Sequence, residues 1–87
     1  MDIRQEIFSE LGELLVERGV TLSEPLSDRT RLLDTGLDSL GFAVLVVRLE
    51  DRLGYDPFML MADAVYPRTL SEFVAIYEDL RDHAVGA

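Results

Sequence analysis

Ser39 is the side chain in this sequence with the strongest claim to chemistry. It sits in the run Gly36-Leu37-Asp38-Ser39-Leu40, where a loop gives way to an apolar segment. A serine at such a junction can cap a helix, or its hydroxyl can serve as a point of reaction. Other chemistry is limited by composition. The chain contains no cysteine, which excludes disulfides, thiolate zinc sites and a protein thiol nucleophile. His83 is its single histidine, which excludes a multi-histidine metal site. A hydrolase built on Ser39, His83 and an aspartate has little support. His83 is expected in a frayed last turn, and no glycine-rich oxyanion turn surrounds Ser39. The run from Asp28 to Ser39 lacks EF-hand ligand spacing.

Charge narrows the partners. Seventeen acids oppose eight bases, all arginine, for a formal net charge of −9. That balance repels nucleic acid and anionic membranes and favours basic protein partners. At 48% apolar residues the chain is globular rather than disordered. No apolar run approaches the ~18–20 residues that span a bilayer. The acidic start, Met1-Asp2-Ile3-Arg4-Gln5-Glu6, is unlike a signal peptide. The expectation is one small, free-standing cytoplasmic domain over residues 1–87.

Four helices are predicted to position Ser39. The first spans Asp2 to Arg18, capped by Asp2 and ended by Gly19. Ile3, Ile7, Phe8, Leu11, Leu14 and Leu15 share its core face. Glu6, Glu10, Glu13 and Glu17 form a second stripe within roughly 60° of arc, which reads as a solvated face. A long connection from Val20 to Leu37 follows. Leu22, Leu26, Leu32, Leu33 and Leu37 are expected to pin it across the bundle, with a short helical turn at Leu32-Leu33. The second helix spans Ser39 to Leu53, capped by Asp38 or Ser39 and followed by Gly54. Asp56-Pro57 opens a short third helix ending near Ala64. Thr69-Leu70-Ser71-Glu72 is a capping box for the last helix, whose core face is Leu70, Phe73, Val74, Tyr77 and Leu80. No segment alternates with period two over a strand's length. The fold class is therefore all-α, a four-helix bundle with three longer helices, one short helix and a long first loop.

The second helix is apolar on two sides. Phe42, Leu45, Val46, Leu49 and Leu53 form the expected core face, within roughly 100° of arc. Leu40, Val44 and Val47 lie on the other side, and Asp51 continues their row. A bundle this small has little capacity to bury one helix completely, so the second row is expected to be an exposed, partner-facing strip with an acidic end. Glu50 and Asp51 also stand where the helix dipole disfavours anions, with Arg48 and Arg52 expected to offset part of that charge.

The helix order, the long first loop, the short third helix and the stretch Leu33-Asp34-Thr35-Gly36-Leu37-Asp38-Ser39-Leu40 together resemble the acyl and peptidyl carrier protein family. The run Arg48-Leu49-Glu50-Asp51-Arg52-Leu53-Gly54 resembles the end of that family's second helix. The likeness covers nearly the whole chain. It implies that Ser39 receives 4′-phosphopantetheine, covalently, from coenzyme A through a separate phosphopantetheinyl transferase. Asp38 and Leu40 match the residues flanking that serine in the motif. The arm's thiol would carry an acyl or aminoacyl group as a thioester. The implied partners are the transferase, a loading ligase or acyltransferase, and a downstream acceptor enzyme. The chain itself would be a monomeric carrier and not an enzyme.

Two departures bear on the pathway. In carriers of fatty acid synthesis the positions matching Gly41 and Val44 are typically acidic, and so is the short third helix. Here that helix reads Phe58-Met59-Leu60-Met61-Ala62-Asp63-Ala64. Met59 and Met61 could line a cleft for an acyl chain, although in a short helix they read first as core filler. The greasier face points to a dedicated pathway, such as a polyketide, peptide-synthetase-like or polysaccharide-modifying one. The competing reading is an acidic adaptor that docks a partner through its second helix, with no covalent modification.

Overall fold

The computed structural model describes the backbone of residues 2–22, 24–60 and 67–85, and the side chains of these except 60 and 82–85. The elements run α1 (Ile3–Glu17), a 3₁₀ turn (Leu32–Thr35), α2 (Ser39–Leu53), α3 (Pro57–Leu60) and α4 (Leu70–Val85). Among the described residues the only β pairing is one antiparallel bridge, Arg31 to Thr69. The all-α class is as expected.

Local signals set the helix ends. Asp2 accepts from the Gln5 N–H at 3.3 Å and caps α1. Gly19 and Gly54 take the left-handed turns after α1 and α2, with φ of 74° and 87°. Asp56 accepts from the Phe58 N–H at 2.9 Å to start α3. The capping box of α4 forms, with the Glu72 N–H donating to Thr69 Oγ1 at 3.2 Å and the Thr69 N–H donating to Glu72 at 3.3 Å. α4 continues to Val85 rather than fraying near His83. The expected reach of α3 to Ala64, and Met61 with it, lie outside the described residues.

The core joins Ile3, Ile7, Leu11, Leu14 and Leu15 of α1, Leu45 and Leu49 of α2, and Leu70, Phe73, Val74 and Tyr77 of α4. Phe42, Phe58, Phe73 and Tyr77 make a cluster of edge-on, tilted and stacked rings with centroids 5.1–6.2 Å apart. Tyr55 adds a hydrogen bond to the Tyr77 carbonyl at 2.5 Å. Leu80 is half-buried at the edge.

The long crossover is held at both backbone and side chain. Leu32 N–H donates to the Arg68 carbonyl and Leu70 N–H to the Thr30 carbonyl, each at 2.9 Å. Leu32 and Leu37 are buried, and Leu22 and Leu26 pack half-buried against the core. Leu33 departs from the expected pinning: it is 89% exposed. The 3₁₀ turn repeats every three residues, so Leu32 and Thr35 point inward together and Leu33 is carried outward.

The glutamate stripe of α1 is only partly a solvated face: Glu13 is exposed, whereas Glu6, Glu10 and Glu17 are held by arginines of α2. α1 and α2 run antiparallel, and the stripe lies along their seam. Glu10 is only 5% exposed. Arg48 grips Glu17 with two hydrogen bonds of 2.7 and 2.6 Å. Arg52, one turn on, reaches Glu6 at 2.8 Å and also pairs with Glu10. The reason is registry: Arg48 and Arg52 at i, i+4 face Glu10 and Glu17 at i, i+7. The two arginines are therefore spent on α1, not on Glu50 and Asp51.

Arg48's hydrogen bonds hold the Glu17 carboxyl below its ordinary value of 4.5. A carboxylate with a lowered folded pKa contributes stability above its unfolded pKa and loses it as pH falls through the folded one. Replacing Arg48 with glutamine is thus expected to lower stability at pH 7. The gap to the unsubstituted protein should close as pH drops below about 4.5, read from urea titrations across pH. A gap that persists in acid would mean that Arg48 acts by packing alone.

Candidate functional site at the start of α2

The approach to Ser39 is fixed by a buried threonine. Thr35 is fully buried, and its hydroxyl donates to the Leu32 carbonyl at 2.6 Å and accepts from the Leu37 N–H at 3.3 Å. Gly36 then turns the chain at φ 80°, a conformation that L side chains rarely adopt, with Val20 packed 3.5 Å from where a Cβ would stand. Leu37 buries itself and delivers Asp38 to the helix entrance.

Asp38, rather than Ser39, is the cap. Its Oδ1 accepts from the Gly41 N–H at 2.7 Å while its backbone stays extended. The Arg18 guanidinium lies 3.5 Å from the same oxygen, so the carboxylate is paired as well as capping. Gly41 makes this possible. A Cβ there would stand 2.8 Å from Leu37 Cδ1 and 3.2 Å from Arg18 Cζ. Gly41 is buried on the core side of α2, a role not evident from its residue type.

With Asp38 doing the capping, Ser39 is left exposed as the first residue of α2. The sequence-predicted strip resolves unequally. Leu40 and Val47 are 67% and 63% exposed, and Asp51 is exposed. Val44 is not: it is half-buried and packs against the core. Val46, expected in the core, is instead half-buried at the opposite rim. Both corrections have one cause. The buried line of α2 runs through Gly41, Leu45 and Leu49, which turns the helix toward Val44 and away from Val46. Met59 of α3 was expected to fill the core and is 81% exposed. Leu33 and Met59 therefore add apolar surface that periodicity did not supply; the i, i+3 inward pairing of the 3₁₀ turn is the signal that would have found Leu33.

An exposed serine hydroxyl at a helix start can be joined to a group brought from outside. Asp38 is engaged by the helix end and by Arg18, and the side chain of His83 lies outside the described residues. No group of three metal-ligating side chains forms among the described residues. A helix start does suit a phosphate: its unpaired N–H groups and partial positive charge favour an anion. Among the described residues no helix is long and apolar enough to cross a membrane.

A family model described as the phosphopantetheine attachment site matches residues 9–75, which include the whole of α2 and the loop before it. Searches of curated proteins and of solved structures give no match.

Two substitutions separate the cap from the handle. Asp38→Ala is expected to cost about 0.5–2 kcal/mol, the worth of a capping oxygen. Ser39→Ala is expected to change stability by no more than about 0.5 kcal/mol, because an exposed residue that does not cap is being truncated. Chemical denaturation of the two variants checks both. Equal losses would mean that the Ser39 hydroxyl shares the capping.

Proposed function

The chain belongs to the phosphopantetheine attachment-site family, and we propose that Ser39 is the serine that bears the arm. The family is one of non-catalytic carriers, with the cofactor joined covalently to a serine, and a carrier of this kind meets both a modifying enzyme and partner enzymes. The observation that carries the assignment is the exposure of Ser39 at the first position of a 15-residue helix capped by its neighbour. Once attached, the arm supplies the thiol that a chain without cysteine lacks, and on it an acyl or aminoacyl cargo is held as a thioester.

The chain's own residues have limited tasks. Ser39 presents its hydroxyl oxygen to a transferase holding coenzyme A and gives up its proton there; the oxygen would bond to the pantetheine-side phosphorus as the pyrophosphate P–O bond breaks and 3′,5′-ADP leaves. Asp38 keeps the helix wound up to that residue, so the hydroxyl stands at a rigid end. Leu40 and Val47, with Val44 at their rim, form the apolar part of the surface that partners meet. Glu50 and Asp51 make its acidic part. Because Arg48 and Arg52 are held by α1, that end of α2 presents its acids without neighbouring arginines turned to them. The partner of matching chemistry has an apolar depression rimmed by basic side chains, and salt weakens the encounter.

The transferase, a loading ligase or acyltransferase, and an acceptor enzyme are the partners of this reading. A dedicated biosynthetic pathway fits better than bulk fatty acid synthesis. An acidic side chain at position 41 would collide with Leu37, and α3 offers exposed Met59 where the bulk carriers are acidic. The reading also makes residues 1–87 a single cytoplasmic, monomeric carrier domain.

Incubation with a broad-specificity phosphopantetheinyl transferase and coenzyme A, followed by intact mass, tests the assignment. The protein should gain one phosphopantetheine, and Ser39→Ala should gain none while keeping its helical circular dichroism. Val47→Glu should stay within about 0.5 kcal/mol of the parent in stability yet load more slowly, whereas Val44→Glu should lose stability as well. A folded protein that stays unmodified while a control carrier is loaded would leave the adaptor reading.

A further inference from the structure

The outward side of α1 carries a second surface that the carrier reading does not use. Phe8, Gly12 and Val16 follow one another at i, i+4 and i+8; Phe8 is half-buried against the core, and Gly12 and Val16 turn progressively away from it. They line a shallow groove of about 740 Å³, flanked by Ser9, Glu13 and Glu17. Val16 is 77% exposed, and Arg4 lies 4.3 Å over the Phe8 ring at one end.

Gly12 is the telling residue. It stands in the middle of a 15-residue helix, where glycine is a poor helix former. Among the described residues nothing lies within 4 Å of where its Cβ would be, so none of them requires a glycine there. Gly36 is required by its positive φ and Gly41 by its close neighbours; among the described residues Gly12 has neither reason. A local rule broken without internal compensation points to compensation from outside. With no Cβ at Gly12, this shallow face between Phe8 and Val16 lets another helix approach closely.

We propose that this groove docks a basic amphipathic helix of another protein, one apolar residue entering at Gly12 and a lysine or arginine beside Glu13. Charge selects that occupant. Glu17 is engaged by Arg48, but Glu13 lies exposed on the groove's edge and makes no ion pair among the described residues. A second copy is disfavoured: an antiparallel pairing across Gly12 sets Glu13 near its own counterpart, between two chains of net charge −9. The groove lies on a different helix from Ser39. A partner held there leaves the start of α2 open, so the protein can stay tethered while Ser39 is visited by others.

The full chain, labelled with ¹⁵N, is titrated with a synthetic helical peptide of leucine and lysine, and with its glutamate counterpart as control. The basic peptide should shift the amides of residues 8–17 and the acidic one should not. Gly12→Ala should raise the melting temperature by about 3–6 °C, since the added methyl meets open space and favours the helix. The same substitution should weaken the peptide by about tenfold. Three results would each overturn the proposal: shifts confined to α2, a Gly12→Ala protein that binds as before, or one whose melting temperature falls. Concentration-dependent dimers abolished by Val16→Asp would also overturn it, by making a second copy the occupant. None of these outcomes depends on whether Ser39 is modified.

Discussion

One hydrogen bond organises the functional end of this molecule, that from the Gly41 N–H to the carboxylate of Asp38. It ends α2 one residue before Ser39 and so relieves Ser39 of any capping duty. Three other features serve the same bond. Thr35 locks the preceding turn, Gly41 leaves room for Leu37 to pack beneath it, and Arg18 sits against the capping oxygen. Loss of any one loosens the same corner. The exposed hydroxyl follows from how the helix starts, and the carrier reading follows from the exposed hydroxyl.

Charge is arranged as deliberately as packing. An isolated look at α2 finds two arginines among its last acids and counts them as local neutralisation. In the fold they leave that neighbourhood and cross to α1, closing contacts 31 and 46 residues apart in sequence. The seam between the two helices becomes an ionic one, and the outward end of α2 keeps its acids. A protein that binds successive enzymes weakly benefits from such an arrangement, because opposite charge on the partner speeds encounter more than it slows release.

Much of this was legible in the residues because it depends on local rules. The caps at Asp2, Asp56 and Thr69, the choice of Asp38 or Ser39 for α2, the left-handed glycines after α1 and α2, and the inward faces of α1 and α4 each follow from neighbours within a few positions. The misreadings share another origin. Leu33 was assigned to the core as an apolar residue in a loop, yet the three-residue turn it belongs to carries it outward. Val44 and Val46 both end half-buried because the burial of Gly41, invisible in its side chain, rotates α2. Glu6, Glu10 and Glu17 of α1 looked solvated because their partners lie on another helix. Met59 looked like filler because short helices usually hide their methionines. Leu33 needed only its local turn, whereas the glutamates needed a neighbour distant in sequence.

The most direct trial of the account is fragmentation mass spectrometry of the protein purified from its own host. The account predicts a phosphodiester-linked pantetheine on the peptide spanning the start of α2, with fragment ions assigning it to residue 39. An arm found on another serine, or a natural protein that is folded and wholly unmodified, would contradict it.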